Sequence, residues 1–158
     1  EHLKQVGGHM YAAGMPLKPE NYHNFKDAFE KVVSETISPE LLMPEISIDA
    51  EINFEDISPK FIRILNQFEP FGPENMTPVF VSKNVFDTGY GKPMGQKEEH
   101  LKLFMKQNSS EGIAAIGFGL GNKMDLTKDK KTFEVAFCID ENEWNGKTTT
   151  QLRLKDIK

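Results

Sequence analysis

Between residues 19 and 68 the apolar positions recur mainly every three or four residues, and beyond residue 78 they fall into short alternating runs. Tyr22, Phe25, Phe29, Val32 and Val33 follow Pro19 at helical spacing with Lys and Glu between them. That pattern predicts an amphipathic helix of about four turns ending near Thr36, its aromatic stripe turned to a core. Gly14-Met15-Pro16-Leu17, just before it, reads as a short strand. Ser38-Pro39 restarts a short helical piece that Pro44 stops. Ile46, Ile48, Ala50 and Ile52 then alternate with Ser47, Asp49, Glu51 and Asn53, the period of a half-buried strand. Asp49 and Glu51 on its outer face read as solvated carboxylates rather than metal ligands.

Ser58-Pro59 opens a second helix, with Ser as N-cap and Pro at the first helical position. Ile57 and Ile62 are placed for a hydrophobic staple, and Phe61, Leu65 and Phe68 continue the stripe. The helix has to end at Glu69-Pro70, because proline disfavours helical geometry in the residue before it. Residues 70–78 hold three prolines and one glycine, a stiff connector that places a domain boundary there. Beyond it come Val79-Phe80-Val81, Asn84-Val85-Phe86, residues 101–105, 113–118, 133–139 and 150–154, separated by Gly, Asn, Asp and Lys. Five or six strands in about 80 residues predict a small barrel or sandwich, with Asn145-Gly146 as the hairpin turn between the last two.

Charge is divided as unevenly as texture. Residues 1–75 carry six Lys and Arg against thirteen Asp and Glu, whereas residues 76–158 carry thirteen against eleven, so the overall −5 conceals a mildly basic second half. A single cysteine, Cys138, makes no internal disulfide, and no apolar run reaches the ~18 residues of a membrane span. A reducing, cytoplasmic setting without membrane association is expected. The chain opens without Met on Glu1-His2-Leu3-Lys4, which suggests the C-terminal portion of a longer polypeptide.

Catalytic constellations are absent: there is no HExxH, Walker loop or CxxC, and His2, His9, His23 and His100 show no metal-ligand spacing. No catalytic residue and no metal site is therefore assigned. Two stretches carry candidate binding chemistry. Gly7-Gly8-His9 combines glycines that let backbone approach a ligand with a His able to donate to an anionic oxygen. If residues 100–106 form a strand, Leu101, Leu103 and Met105 face inward while His100, Lys102, Phe104 and Lys106 face out, an aromatic among groups that can meet phosphate. Tyr90, Lys92 and Lys97 precede it, and Arg153 and Lys155 alternate with Leu152 and Leu154 in the last strand.

Several motifs carry a resemblance. Gly7-Gly8-His9-Met10-Tyr11-Ala12-Ala13-Gly14 resembles the GGHxxAAG loop of DHHA1 domains. Ile48-Asp49-Ala50-Glu51 resembles the strand that follows the DHHA1 helix. Phe68 to Asn75 resembles the PFGxxN connector, His100-Leu101-Lys102 the HLK strand, and Asn142-Glu143-Trp144-Asn145-Gly146 with Gln151-Leu152 the NEWxG…QL hairpin of the RecJ family of DHH phosphoesterases. The likeness spans nearly the whole chain. It implies an α+β chain: residues 1–56 as the C-terminal part of a DHHA1 domain, 57–75 as helix and Pro-rich connector, and 76–158 as an all-β OB-fold that binds nucleic acid. It further implies the substrate-clamping half of a 5′ to 3′ single-stranded-DNA exonuclease of repair and recombination. Gly7, Gly8 and His9 would hold substrate phosphate, and divalent manganese or magnesium would sit in a DHH domain not contained here, leaving this piece inactive alone and without a bound cofactor. Single-stranded DNA is the expected partner. A non-catalytic OB module for single strands or a protein, and a DHH phosphoesterase for short oligonucleotides, are the alternatives.

Overall fold

The computed structural model describes residues 7–9, 12–144 and 146–158. Expectations that rest on the side chain of His9, or on Asn145, lie outside the described residues. The chain forms two compact units, Glu1–Glu45 and Ile46–Lys158.

In the first unit, β1 (Gly7–His9) pairs antiparallel with β2 (Ala12–Gly14), with Gly8 opposite Ala13. A Cβ on Gly8 would lie 2.7 Å from the Ala12 carbonyl oxygen and 2.8 Å from the Ala13 Cα, so this glycine serves a close backbone approach across the hairpin. The strand expected at residues 14–17 thus ends where it was to begin, because the glycines pair with the two alanines and leave Met15-Pro16-Leu17 outside the ladder. A 3-10 turn (Pro19–Asn21) leads into α1 (Tyr22–Thr36), which ends where the spacing predicts. Its stripe is not core, however. Phe25 and Phe29 stack at 5.7 Å, yet Tyr22, Phe29 and Val32 are each more than half exposed and nothing in α1 is buried. A single helix and a two-stranded hairpin have too little surface to cover an apolar face of four turns.

The second unit is a barrel with its N-terminal segment packed on it. Of the predicted strand at 46–52 only β3 (Ala50–Glu51) pairs, parallel to β4 (Phe80–Asp87), while Ile46 and Ile48 remain exposed. Glu51 forms an ion pair with Lys83, and Asp49 accepts the Val79 N–H at 2.8 Å, so both carboxylates have protein partners. The segment from Ile52 onward enters the core. Phe54 and Leu65 are buried in it, with Ile52, Ile57, Phe61 and Ile62 packed alongside. Gln107, 5% exposed, fastens this segment by accepting the Phe54 N–H (2.7 Å) and donating to the Lys83 carbonyl (2.7 Å), and Ser82 donates to the Ile52 carbonyl at 2.6 Å.

Ser58 caps α2 (Pro59–Leu65) as expected, accepting the Phe61 N–H. The Pro-rich stretch is a folded turn. The Asn75 amide donates to the Phe68 and Pro70 carbonyls (2.8 and 3.0 Å), and its backbone pairs with Gly72. Residues 57–75 fall within the same compact unit as the barrel strands, which runs from Ile46. Counted from residue 46 the unit carries fifteen basic against seventeen acidic residues, which turns the expected mild positive charge slightly negative.

The remaining strands are β5 (Lys92–Met94), β6 (His100–Gln107), β7 (Ile113–Gly117), β8 (Phe133–Trp144) and β9 (Lys147–Ile157). Their order is β3-β4-β8-β9-β7-β6-β5, and a further β4–β6 pairing closes five of them into a barrel. Among the described residues only β3–β4 and β7–β9 run parallel. This is the OB-type domain of an α+β chain. Inward positions alternate as the pattern predicts: Leu101, Leu103 and Met105 from β6 meet Val85, Val135, Phe137, Leu152, Leu154 and Ile157, all buried. At the end of β8 Trp144 pairs with Lys147 of β9, and Gly146 stands at φ 71°.

Candidate nucleic-acid interface

Closing the barrel puts residues far apart in sequence into rows on its outer surface. Across β5, β6, β7 and β9 the register reads Lys92, Lys102, Ile116, Arg153. Strands lie about 4.8 Å apart, so the Lys102 and Arg153 backbones are separated by about 10 Å. The next row toward the C-terminal end of β6 is Phe104, Ala114, Gln151. Tyr90, 77% exposed, meets Phe104 edge to face at 6.5 Å, and a Cβ on Gly112 would collide with the Phe104 ring.

One buried carboxylate holds this corner. Asp87 accepts the Gly89 and Gly91 N–H groups on Oδ2 (2.8 and 2.9 Å) and the Phe104 N–H on Oδ1 (3.0 Å). It thereby ties the backbone on both sides of Tyr90 to the strand that carries Phe104. Gly91 is required here, since a Cβ would sit 2.8 Å from Leu103 Cδ2 and 3.0 Å from Asp87 Oδ2.

At the other end of β6, His100 packs edge to face on Phe118 at 5.2 Å, and its Nδ1 accepts the Gly119 N–H at 3.1 Å. An accepting Nδ1 carries no proton, so the ring donates only through Nε2, which stands 3.9 Å from Glu99. Glu99 is held below the usual carboxylate range by its own backbone N–H and that of Lys97. This end of the face therefore keeps a negative charge.

The other sequence-derived residues are more scattered. Lys97 is on the exposed turn before β6, and Lys106 stands opposite Phe86 of β4, round the barrel from the Lys102 row. Lys155 lies two residues past Arg153 at a break in the β8–β9 register. Arg153 is shared: its guanidinium is 3.8 Å from Asp140, its Nε is buried without a partner among the described residues, and it borders a cleft of about 160 Å³ with Phe71 and Glu69. Gly7 and Gly8 are exposed in their hairpin. Phe118 escaped the sequence reading because Ile113-Ala114-Ala115-Ile116-Gly117-Phe118 is apolar in both phases. Only the Leu101–Gly117 pairing shows which phase faces out. Among the described residues no group of three His, Cys, Asp or Glu could hold a metal ion.

Residues 48–156 match the RecJ OB domain family. The chain belongs to that family. Bacillus subtilis RecJ, a single-stranded-DNA-specific exonuclease, is 28% identical over 154 residues, covering 98% of this chain and 19% of its own length. The Escherichia coli exonuclease of the same name is 23% identical, with 98% and 26% covered. The chain thus spans between about a fifth and a quarter of the relatives it matches. Thermus thermophilus RecJ, crystallised with Mn2+, superposes with a TM-score of 0.68 at 24% identity over 99% of this chain and 22% of its own, which shows a shared fold. A second crystal structure of that protein, with Mg2+, gives 0.64. The RecJ likeness read from the motifs therefore holds, and the matched residues begin near the first residue of the barrel unit.

Proposed function

We propose that this RecJ OB barrel grips single-stranded DNA on the β5–β6–β7–β9 face, as the substrate-clamping part of a 5′ to 3′ exonuclease of repair and recombination in the cytoplasm. The observation that carries the reading is the row Lys92, Lys102, Arg153 beside the Tyr90–Phe104 pair, cations in line with an aromatic step. Such a surface neutralises successive phosphates while a base stacks, and it has no need of sequence. With a slightly acidic unit behind it, attraction is local and falls quickly with salt.

Residues 1–56 are read as the C-terminal part of a DHHA1 domain, with Gly7, Gly8 and His9 holding a substrate phosphate. The Thermus thermophilus protein, crystallised once with manganese and once with magnesium, supports a divalent ion for the parent enzyme, where it would supply an activated water and charge neutralisation. The resemblance places the metal ligands in the DHH domain, so residues 1–158 are expected to be inactive alone.

Anisotropy of a labelled oligothymidine with the full 158-residue chain, at several salt concentrations, tests the grip. Lys102→Ala should lower the salt slope by about 0.7, and Phe104→Ala should cost about 1–3 kcal/mol of affinity. Unchanged affinity and slope in both variants, with duplex bound as well as single strand, would remove this face from consideration. In the parent enzyme His9→Ala should slow cleavage by roughly one to two orders of magnitude, the worth of one charge-assisted phosphate contact.

A further inference from the structure

The face has a second held aromatic. Phe118 is 59% exposed, yet its position is fixed twice: the His100 ring stands against it, and the His100 Nδ1 binds the N–H of the next residue, Gly119, whose φ of 74° turns the chain away. An exposed ring held by its neighbours has already lost the freedom that binding would otherwise cost it. The arrangement parallels the other corner, where Asp87 brackets Tyr90 and fixes the strand under Phe104. Between the two corners the outward residues of β6 and β7 are Lys102 and Ile116, directly opposite one another.

We propose that His100–Phe118 is a second base-stacking platform, so that one strand places two bases on this face at once, on Tyr90–Phe104 and on Phe118, with a phosphate at Lys102 between them. The proposal rests on the single-strand reading above. The Glu99 carboxylate, 3.9 Å from His100 and kept ionised by two backbone N–H groups, repels phosphate at this end, so what docks there is the uncharged part of a nucleotide. Four residues along β6 separate the platforms, about 13.5 Å at the rise of a strand. A stacked single strand, at ~3.4 Å per nucleotide, crosses that distance in four steps, and one stretched to about twice that rise crosses it in two. The shortest oligomer that reaches both platforms is therefore three to five nucleotides long.

Titrating the full chain with unlabelled oligothymidines of two to eight nucleotides, followed by amide and aromatic NMR shifts, reads this directly. Affinity should rise by roughly 5- to 150-fold in one step between three and five nucleotides, the range of one stacked base. Phe118→Ala should abolish that step while leaving the affinity of shorter oligomers and the thermal midpoint unchanged, and Phe118→Tyr should restore it. A Phe118→Ala profile that keeps the full step, with wild-type chain binding normally, overturns the second platform alone. No shift with any oligomer overturns the single-strand reading together with it.

Discussion

Replacing Asp87 by Ala tests whether one buried carboxylate organises the Tyr90–Phe104 corner. The side chain is 5% exposed and accepts three backbone N–H groups, from Gly89, Gly91 and Phe104, at 2.8, 2.9 and 3.0 Å. Hydrogen bonds to a charged group are worth about 1.5–3 kcal/mol each, and a buried donor left unpaired costs about 1–3 kcal/mol. The alanine variant does not lose three full increments, because water can reach the loop amides of Gly89 and Gly91. The Phe104 N–H, inside the ladder, has no such replacement. About 2 kcal/mol from Phe104 and about 1 kcal/mol from the loop together give a loss near 3 kcal/mol. For a domain of this size that is roughly 10 °C in thermal midpoint, and with a urea slope of about 2 kcal/mol/M a midpoint lowered by about 1.5 M. Urea unfolding followed by circular dichroism measures it. Asp87→Asn should fall between, since one amide oxygen serves the glycine pair while the NH2 group meets the Phe104 donor. A midpoint shift under about 0.3 M for Asp87→Ala, with the Phe104 amide exchanging as slowly as before, would refute the hub.

Gln107→Leu should cost about 2–4 kcal/mol, because it strands the Phe54 N–H and the Lys83 carbonyl together, and native-state hydrogen exchange should show the Phe54 amide opening first. Gly112→Ala pushes a methyl group into the Phe104 ring, so it should weaken oligothymidine binding with a smaller effect on the urea midpoint than Asp87→Ala. Asp156 should make stability fall in acid: burial pushes its carboxyl up, but the Lys123 ammonium at 2.8 Å and the Ile157 N–H outweigh burial and leave it below the ordinary Asp value. Its contribution is present above the unfolded-state pKa and is lost as pH falls through the folded-state one, so Lys123→Ala should flatten the acid limb of a stability–pH profile. With both side chains about a third exposed or more, the effect is small and shrinks further in salt.

Period alone determined much of this chain. The 3.6-residue recurrence gave α1 its end at Thr36, Ser58-Pro59 gave α2 its start, and the alternation of Leu101, Leu103 and Met105 assigned one face of β6 to the core and the other to solvent. These are local consequences of backbone geometry, legible wherever one face is apolar and the other polar. Tertiary structure decided three things that period does not carry. It covered Phe54 and Leu65 but left Tyr22, Phe29 and Val32 exposed, because burial depends on what packs against a stripe rather than on the stripe. It folded the Pro-rich stretch into a turn through Asn75, whose amide bonds to the Phe68 and Pro70 carbonyls have no signature beyond an Asn in a loop. And it aligned Lys92, Lys102 and Arg153, and set Phe118 against His100, through strand register, which is fixed between strands by hydrogen bonding and closure and so is written in no single segment of the chain.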